Sequence, residues 1–403
     1  MKNKRVLISG ASVAGPALAL WLSRYGFEPT IVERAPAVRP GGYAVDFRGA
    51  SLRVLERMGL LAEVQQKQTR IGAITIVDEK NRKVASMPDG FTSGELEILR
   101  GDLAGIFHEA TRHSTEYIFD DSIAGMEESD AAVDVVFQRG GRRRFDLVVG
   151  ADGLHSNVRS LVFGEEAHFV RYLGYYVSIF TVPNHLQLEQ SGVYYGTLGK
   201  KVGIFSQGDP REAKASFFFA TEPLGYDRRD TAQQKRILRE QFQKEGWEVP
   251  RLLEMMETAP DFYFDSVSQV KMDRWWSGRS VLVGDAAYCA SPLSGMGTGM
   301  AVVGAYILAG ELAEADGDYA VAFANYESRM RDFVKKCQGI ADGGTDWFVP
   351  RTRFRLWLSN QIWKILPYTP WKDMMIEVPL KIGNSIQLKD YGQNAVEADP
   401  VAQ

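Results

Sequence analysis

The chain has 403 residues, enough for roughly two or three domains of ordinary size. Its 47 Lys and Arg against 51 Asp and Glu leave a net charge of −4, a balance that makes no electrostatic case for binding nucleic acid or an anionic membrane. Hydrophobic residues at 45% and charged residues at 24% exclude disordered and fibrous classes, and two cysteines, Cys289 and Cys337, are too few for a disulfide framework or a Cys-rich metal site.

Val6-Leu7-Ile8-Ser9 is a short apolar run into Gly10 and reads as a buried strand. A helical pattern follows over about 13–25, with Leu18, Leu20, Trp21 and Leu22 apolar, and stops at Gly26. Thr30 to Glu33 is a second strand, and this β-α-β opening sets the class as α/β with a parallel sheet. Residues 51–68 and 101–113 read as helices, the second with Asp102 as N-cap and Arg100 just outside it. Phe145 to Gly150 is a strand of the kind covered on both faces. Between about 166 and 275 the texture changes. Segments such as 175–182, 193–198, 202–205, 215–220 and 262–270 are rich in β-branched and aromatic residues between Gly, Pro and Asp, which reads as an antiparallel sheet with one helix near 232–244.

Ser280 to Gly284 restores the first texture, and a helical pattern runs over 299–339 with a break at Asp316-Gly317-Asp318. The expected division is a dinucleotide domain at 1–165 that returns at 277–330, an inserted sheet domain at 166–276, and a C-terminal helical segment at 331–403 whose last residues are polar and frayed. That last segment carries Trp347, Trp357, Trp363 and Trp371 among arginines. A lid over a substrate mouth, a dimer surface and an interfacial helix all fit its composition; Pro350, Pro367 and Pro370 cut it short and rank membrane attachment last. The longest apolar-plus-Gly run, Met300 to Gly310, is well under the ~20 residues of a bilayer span. Basic Lys2, Lys4 and Arg5 precede an apolar stretch, but Gly10, Gly15 and Pro16 interrupt it where an export helix is continuous, so a cytoplasmic location is expected.

Three motifs carry chemistry. In Gly10-Ala11-Ser12-Val13-Ala14-Gly15 the chain turns from strand to helix, so unpaired amides and the helix dipole form an anion site suited to a pyrophosphate. Gly10 permits the turn and Gly15 allows close packing; Ser12 stands where the fingerprint normally has its middle glycine. Glu33 ends the second strand, where an acid accepts hydrogen bonds from adenosine ribose hydroxyls. Gly150-Ala151-Asp152-Gly153 ends a buried strand and is followed by Ser156 and Arg159. Gly284-Asp285 ends the last apolar strand, then Pro292, Gly295, Gly297 and Gly299 precede a helix. Other constellations fail. His108 and His113 lie on different faces of a helix and bring no third ligand, so no metal site is expected; Pro370 breaks Tyr368 to Lys372; the Gly10 turn lacks the last glycine of a nucleophile elbow. Arg142-Arg143-Arg144 reads as a solvated hairpin end.

The ordered set resembles the class A flavoprotein monooxygenases, the para-hydroxybenzoate hydroxylase family, over nearly the whole chain. Within it, 39–49, 97–103 and 286–312 are most similar to the tetracycline-inactivating enzymes and the hydroxylases of aromatic polyketides. The resemblance implies a Rossmann-like FAD-binding domain of the GR2 type, an inserted antiparallel substrate sheet and C-terminal helices. It implies FAD contacts from Gly10, Ser12, Val13, Ala14 and Gly15, from Glu33 and Arg34, and from Arg48, Arg100 and Asp152. It adds Gly284 and Asp285, the latter on the ribityl chain, and Pro292, Gly295, Gly297, Thr298 and Gly299 at the flavin pyrimidine end. The family's Gly-Gln-Gly-x-Asn is here Gly295-Met296-Gly297-Thr298-Gly299; both amides are lost while the backbone donors survive.

The chemistry implied is reduction of FAD by NADH or NADPH, addition of O2 at flavin C4a, and attack of that hydroperoxide on an electron-rich carbon of a bulky, tetracycline-like aromatic. No catalytic side chain is assigned, since the flavin carries the chemistry. Asp46, Tyr194, Tyr195, Phe217, Phe219 and Met296 are expected to line the substrate, and the protein is expected to be a monomer or homodimer. A flavoprotein oxidase or dehydrogenase of the same fold and a non-catalytic flavin-fold protein are the alternatives; a halogenase is disfavoured because its Trp-x-Trp-x-Ile-Pro element is absent.

Overall fold

The computed structural model describes residues 2–39, 41–87, 94–206, 208–342, 345–369 and 371–392; Pro370 and the polar tail from 393 lie outside the described residues. Arg5–Ser9 sits inside a six-stranded sheet, flanked by Leu147–Gly150 on one side and Glu28–Glu33 on the other, both parallel to it. Glu116–Phe119 extends the sheet beyond Glu28–Glu33, and Ser280–Leu282 with the antiparallel edge Trp276–Ser277 extends it beyond Leu147–Gly150. Apart from the end residues Arg5, Glu28 and Glu33, the three central strands are buried, as their apolar runs require.

The helix Ala14–Arg24 follows the first strand and packs against Gly297–Glu314, which is buried nearly all round from Gly299 to Leu312. Gly15 is what lets the helix start lie on the turn, because a Cβ there would stand 1.9 Å from the Gly10 carbonyl oxygen. The helical region at 51–68 is two helices, Ala50–Met58 and Leu61–Gln66, because Gly59 adopts a left-handed conformation at φ 74° and ends the first. The next helix is Arg100–Thr111: Arg100 is its first residue, and Asp102 is in its first turn, facing the dipole without capping it. Arg142–Phe145 is a strand of a three-stranded meander, and its arginines pair with Glu127, Glu116 and Asp134.

The aromatic region forms a seven-stranded sheet in the order Tyr263–Val270, Val170–Pro183, Glu212–Ala220, Lys200–Phe205, Gly192–Thr197, Ile74–Val77, Lys83–Met87. Two of these strands come from residues 74–87, far ahead in the chain, and Ile74–Val77 joins Gly192–Thr197 in parallel. One face of the sheet is covered by the helix Thr231–Phe242, which Asp230 caps by accepting from the Gln233 amide at 2.8 Å. Phe217, Phe219 and Tyr195 belong to that face, packed with Phe180, Leu238 and Phe242. They pack in the core beneath that helix. Alternation correctly puts Phe217 and Phe219 together, but it cannot say which face a helix returns to cover. The opposite face carries Tyr175, Val177, Phe218 and Val267.

The C-terminal segment supplies helices Arg353–Ile365 and Trp371–Gly383, and no helix among the described residues is long and apolar enough to cross a membrane.

Candidate active site

Three strand ends of the six-stranded sheet deliver the three motifs to one place. At the first, the Gly10 amide donates to the Val32 carbonyl at 2.8 Å and the helix begins at Ala14 with no side-chain cap and no acid in its first turn. At the last, Pro292–Ser294 forms a single 3₁₀ turn, Gly295 adopts φ +61°, and the helix begins at Gly297, again with neither cap nor first-turn acid. Gly284 lies between the two starts: a Cβ on it would meet the Ala14 Cβ at 3.2 Å and the Ala301 Cβ at 3.4 Å. Two helix starts, buried at Ala14 and half-buried at Gly297, whose first amides find no partner among the described residues, are a donor set that an anionic or carbonyl-rich ligand completes. That chemistry fits the pyrophosphate and the pyrimidine carbonyls of FAD.

Asp285 stands beside the second start, with its Oδ1 3.6 Å from the position a Gly297 Cβ would take. Burial raises its carboxyl pKa, and the Arg100 guanidinium opposes that shift. Arg100 donates from Nε and Nη2 to the Ser12 hydroxyl and lies 5.9 Å from the Tyr43 ring centre; the Tyr43 phenol raises its pKa against burial, so it stays charged. Glu33 is held at its strand end by amides: Oε2 accepts from Ala11 and Oε1 from Ala35, both at 2.9 Å, with Arg34 exposed beside it.

Asp152 turns inward. Its carboxylate accepts from Ser9 Oγ at 3.1 Å, from the amides of Asn157 at 3.0 Å and Val158 at 3.1 Å, and from Ser156 Oγ. It thus fixes the loop that passes the site. The fully buried Arg159 donates to the carbonyls of Leu154 at 2.6 Å and Ala286 at 2.9 Å, joining the Asp-Gly loop to the Gly-Asp turn.

Asp46 and Arg48 form a largely buried ion pair at 3.3 Å, with side chains 13% and 10% exposed. Arg48 Nη1 also donates to the Gly295 carbonyl at 2.8 Å, so the pair grips the turn before the second helix start. Met296 lines the same crevice with Asp46, Arg48, Ser51 and Phe333. Asp46 lies opposite Glu97 across antiparallel strands, and burial followed by the Asp46 charge pushes the Glu97 carboxyl up to about 7. Burial likewise raises Asp46 against the pull of Arg48.

Several residues here escaped the sequence reading. Tyr43 and Tyr263 bring their rings to 5.6 Å beside Arg100, and Glu97 backs Asp46; none has a spacing signal. Lys201 has only its position in a strand, yet it is buried on the sheet face opposite the helix Thr231–Phe242, between the rings of Tyr194 at 4.5 Å and Phe348 at 4.0 Å. Tyr194 packs edge-on against Phe205 and Phe348.

A family profile described as an FAD binding domain matches residues 3–337. An uncharacterized protein of Mycobacterium tuberculosis is 49% identical over 343 residues, 84% of this chain and 92% of that protein. A flavin-dependent monooxygenase of Legionella longbeachae is 42% identical over 338 residues, 83% of this chain and 86% of that one. Among solved structures, the tetracycline destructase Tet(51) matches with a TM-score of 0.84 at 35% identity, covering 97% of this chain and 100% of that chain. The chain belongs to the family of FAD-dependent aromatic monooxygenases and has a tetracycline destructase-like structure.

Proposed function

We propose that this flavoprotein hydroxylates a bulky, electron-rich aromatic or polyketide substrate of tetracycline-like size, consuming O2 and NADH or NADPH. The observation that carries the reading is the meeting of the cofactor turn with an apolar sheet face: Leu293 of Pro292–Ser294 packs against the cluster of Tyr175, Val177 and Phe218, where Tyr263 also lies. A whole-length likeness to a tetracycline destructase supports the substrate class. Bound FAD supplies the activation of O2 for transfer of one oxygen atom to carbon. The chain's own residues bind, orient and dry the site. The Gly10–Gly15 turn and the Ala14 helix start hold the pyrophosphate, with Ser12, Val13 and Arg100 around it, and Glu33 with Arg34 takes the adenosine ribose. Asp285 takes the ribityl hydroxyls, and the amides of Gly297, Thr298 and Gly299 hold the pyrimidine end.

Arg48 sets the Gly295 turn, Asp152 shapes the neighbouring loop, and the apolar sheet face excludes water. In this reading residues 1–165 and 277–330 form the cofactor unit, 166–276 most of the substrate sheet, and 331–403 a flanking helical segment.

The test is oxygen uptake by the FAD-loaded protein with each nicotinamide, against a panel of tetracyclines, anthracyclines and simple phenols. The reading predicts at least ten-fold stimulation by a polycyclic member. Unstimulated uptake with full recovery of hydrogen peroxide would favour the oxidase of the same fold, and a protein colourless after FAD is added would favour a non-catalytic role.

A further inference from the structure

Among the described residues, exposed apolar side chains gather in one stretch. Phe354, Trp357, Ile362, Ile365, Tyr368 and Trp371 all stand open to solvent within one short stretch, Tyr368 at 90% and Trp371 at 66%. The large apolar residues exposed elsewhere are mostly scattered singly, as on any soluble protein. The helix Arg353–Ile365 has two apolar sides. Trp363 packs inward on the cluster around Ile74 and Met87, together with Val84 of the strand Lys83–Met87. Phe354 and Trp357, one turn apart with ring centres at 6.2 Å, begin a second stripe that continues through Ile365 to Tyr368 on the outside.

The charge around this stripe is one-sided. From Trp347 to Tyr368 there is no Asp or Glu; Arg353, Arg355 and Lys364 lie on the helix itself, and Arg351 just before it bonds the Gly174 carbonyl and the Tyr175 hydroxyl. The net charge of −4 therefore conceals a local run of positive charge along this helix.

We infer that the helix Arg353–Ile365 and the turn after it are a docking surface for an anionic phospholipid bilayer. The helix would lie in the interface plane, with its aromatic and aliphatic stripe at headgroup depth and its cations on lipid phosphates. At 13 residues it is too short to span. A second copy of the chain fits poorly, because a two-fold contact on this patch brings the same cations face to face. Single-stranded nucleic acid fits poorly as well, since Ile362 and Ile365 offer no ring for a base to stack on. The inference stands apart from the identity of the substrate.

The experiment is co-sedimentation of the FAD-loaded full-length protein with vesicles of phosphatidylcholine alone and with phosphatidylglycerol added. The wild type is expected to bind the anionic vesicles at least ten-fold more tightly, to lose that binding in high salt, and to show a blue-shifted tryptophan emission quenched by brominated lipid. Arg353→Glu with Lys364→Glu should cost at least ten-fold in vesicle binding, and Trp357→Ser with Ile365→Ser should abolish the emission shift. All four positions are exposed, so FAD content should hold in both variants. The inference is overturned by absence of wild-type binding at low salt or by variants that bind like wild type. It is equally overturned if the patch variants convert a dimer to a monomer without vesicles, or if single-stranded DNA outcompetes the vesicles.

Discussion

Arg100 bridges to Ser12 with two donors on one hydroxyl, Nε at 3.2 Å and Nη2 at 3.0 Å. The serine that replaces the middle glycine of the fingerprint is thereby tied to the helix that Arg100 opens. Arg100→Met is predicted to raise the FAD dissociation constant about ten-fold, the size of one lost charge-assisted bond. Ser12→Gly should stay within about three-fold of wild type, because the freed guanidinium still faces the cofactor groove. Flavin fluorescence titration measures both, and an unchanged affinity in Arg100→Met would remove the arginine from the cofactor site.

Asp285 gives a prediction of opposite sign in the two states of the protein. Its buried carboxylate is costly until hydroxyl donors reach it, and Arg100 offsets only part of that cost. Asp285→Ala should weaken FAD retention by about an order of magnitude, ~1.4 kcal/mol, while the Tm of the FAD-free protein holds or rises. A variant that loses Tm equally with and without FAD would mark Asp285 as structural.

The sequence carried the site's backbone more clearly than its side chains. Strand-into-glycine textures at 6–10, 147–150 and 280–284 are local patterns, and they place the three turns that converge. The faces of the seven-stranded sheet are a different problem. Phe217, Phe218 and Phe219 are adjacent, so each face of the strand receives at least one ring, and only the return of the helix Thr231–Phe242 decides which face is covered. Asp46 and Arg48 read from the sequence as well as an exposed pair as a buried one. Their burial depends on Gly295, nearly 250 positions away, whose carbonyl accepts from Arg48. The two strands that 74–87 lends to the distant sheet are invisible locally for the same reason.

Lys201 makes the stability pH-dependent. Burial pulls its pKa from 10.5 down to about 7, and no carboxylate among the described residues pairs with it; its Nζ donates to the Phe348 carbonyl at 3.1 Å. The unfolded chain therefore binds more protons between those values, so the penalty is complete below pH 7 and is relieved as pH rises toward 10. The wild type should gain ~2–4 kcal/mol over that window from this group, and Lys201→Met should flatten the rise. Urea midpoints at pH 7 and 9.5 decide it; parallel curves for the two proteins would contradict the assignment.

Glu97 works the other way. Its carboxyl is raised from 4.5 to about 7, so the fold loses stability as pH climbs through that range and carries the full cost above it. Glu97→Gln keeps an acceptor for Thr69 Oγ1, now 2.9 Å from the carboxylate, and removes the cost. The variant should be ~1–3 kcal/mol more stable than wild type at pH 8 and nearly equal at pH 4.5. Equal stability at pH 8 would show that Glu97 is ionised there without penalty.

The account rests most directly on the fate of molecular oxygen. Turnover of a tetracycline-like substrate under ¹⁸O2, with product read by mass spectrometry, should place one heavy oxygen atom in the product for each nicotinamide oxidised. Product of unchanged mass, with the labelled oxygen recovered entirely as hydrogen peroxide, would contradict it.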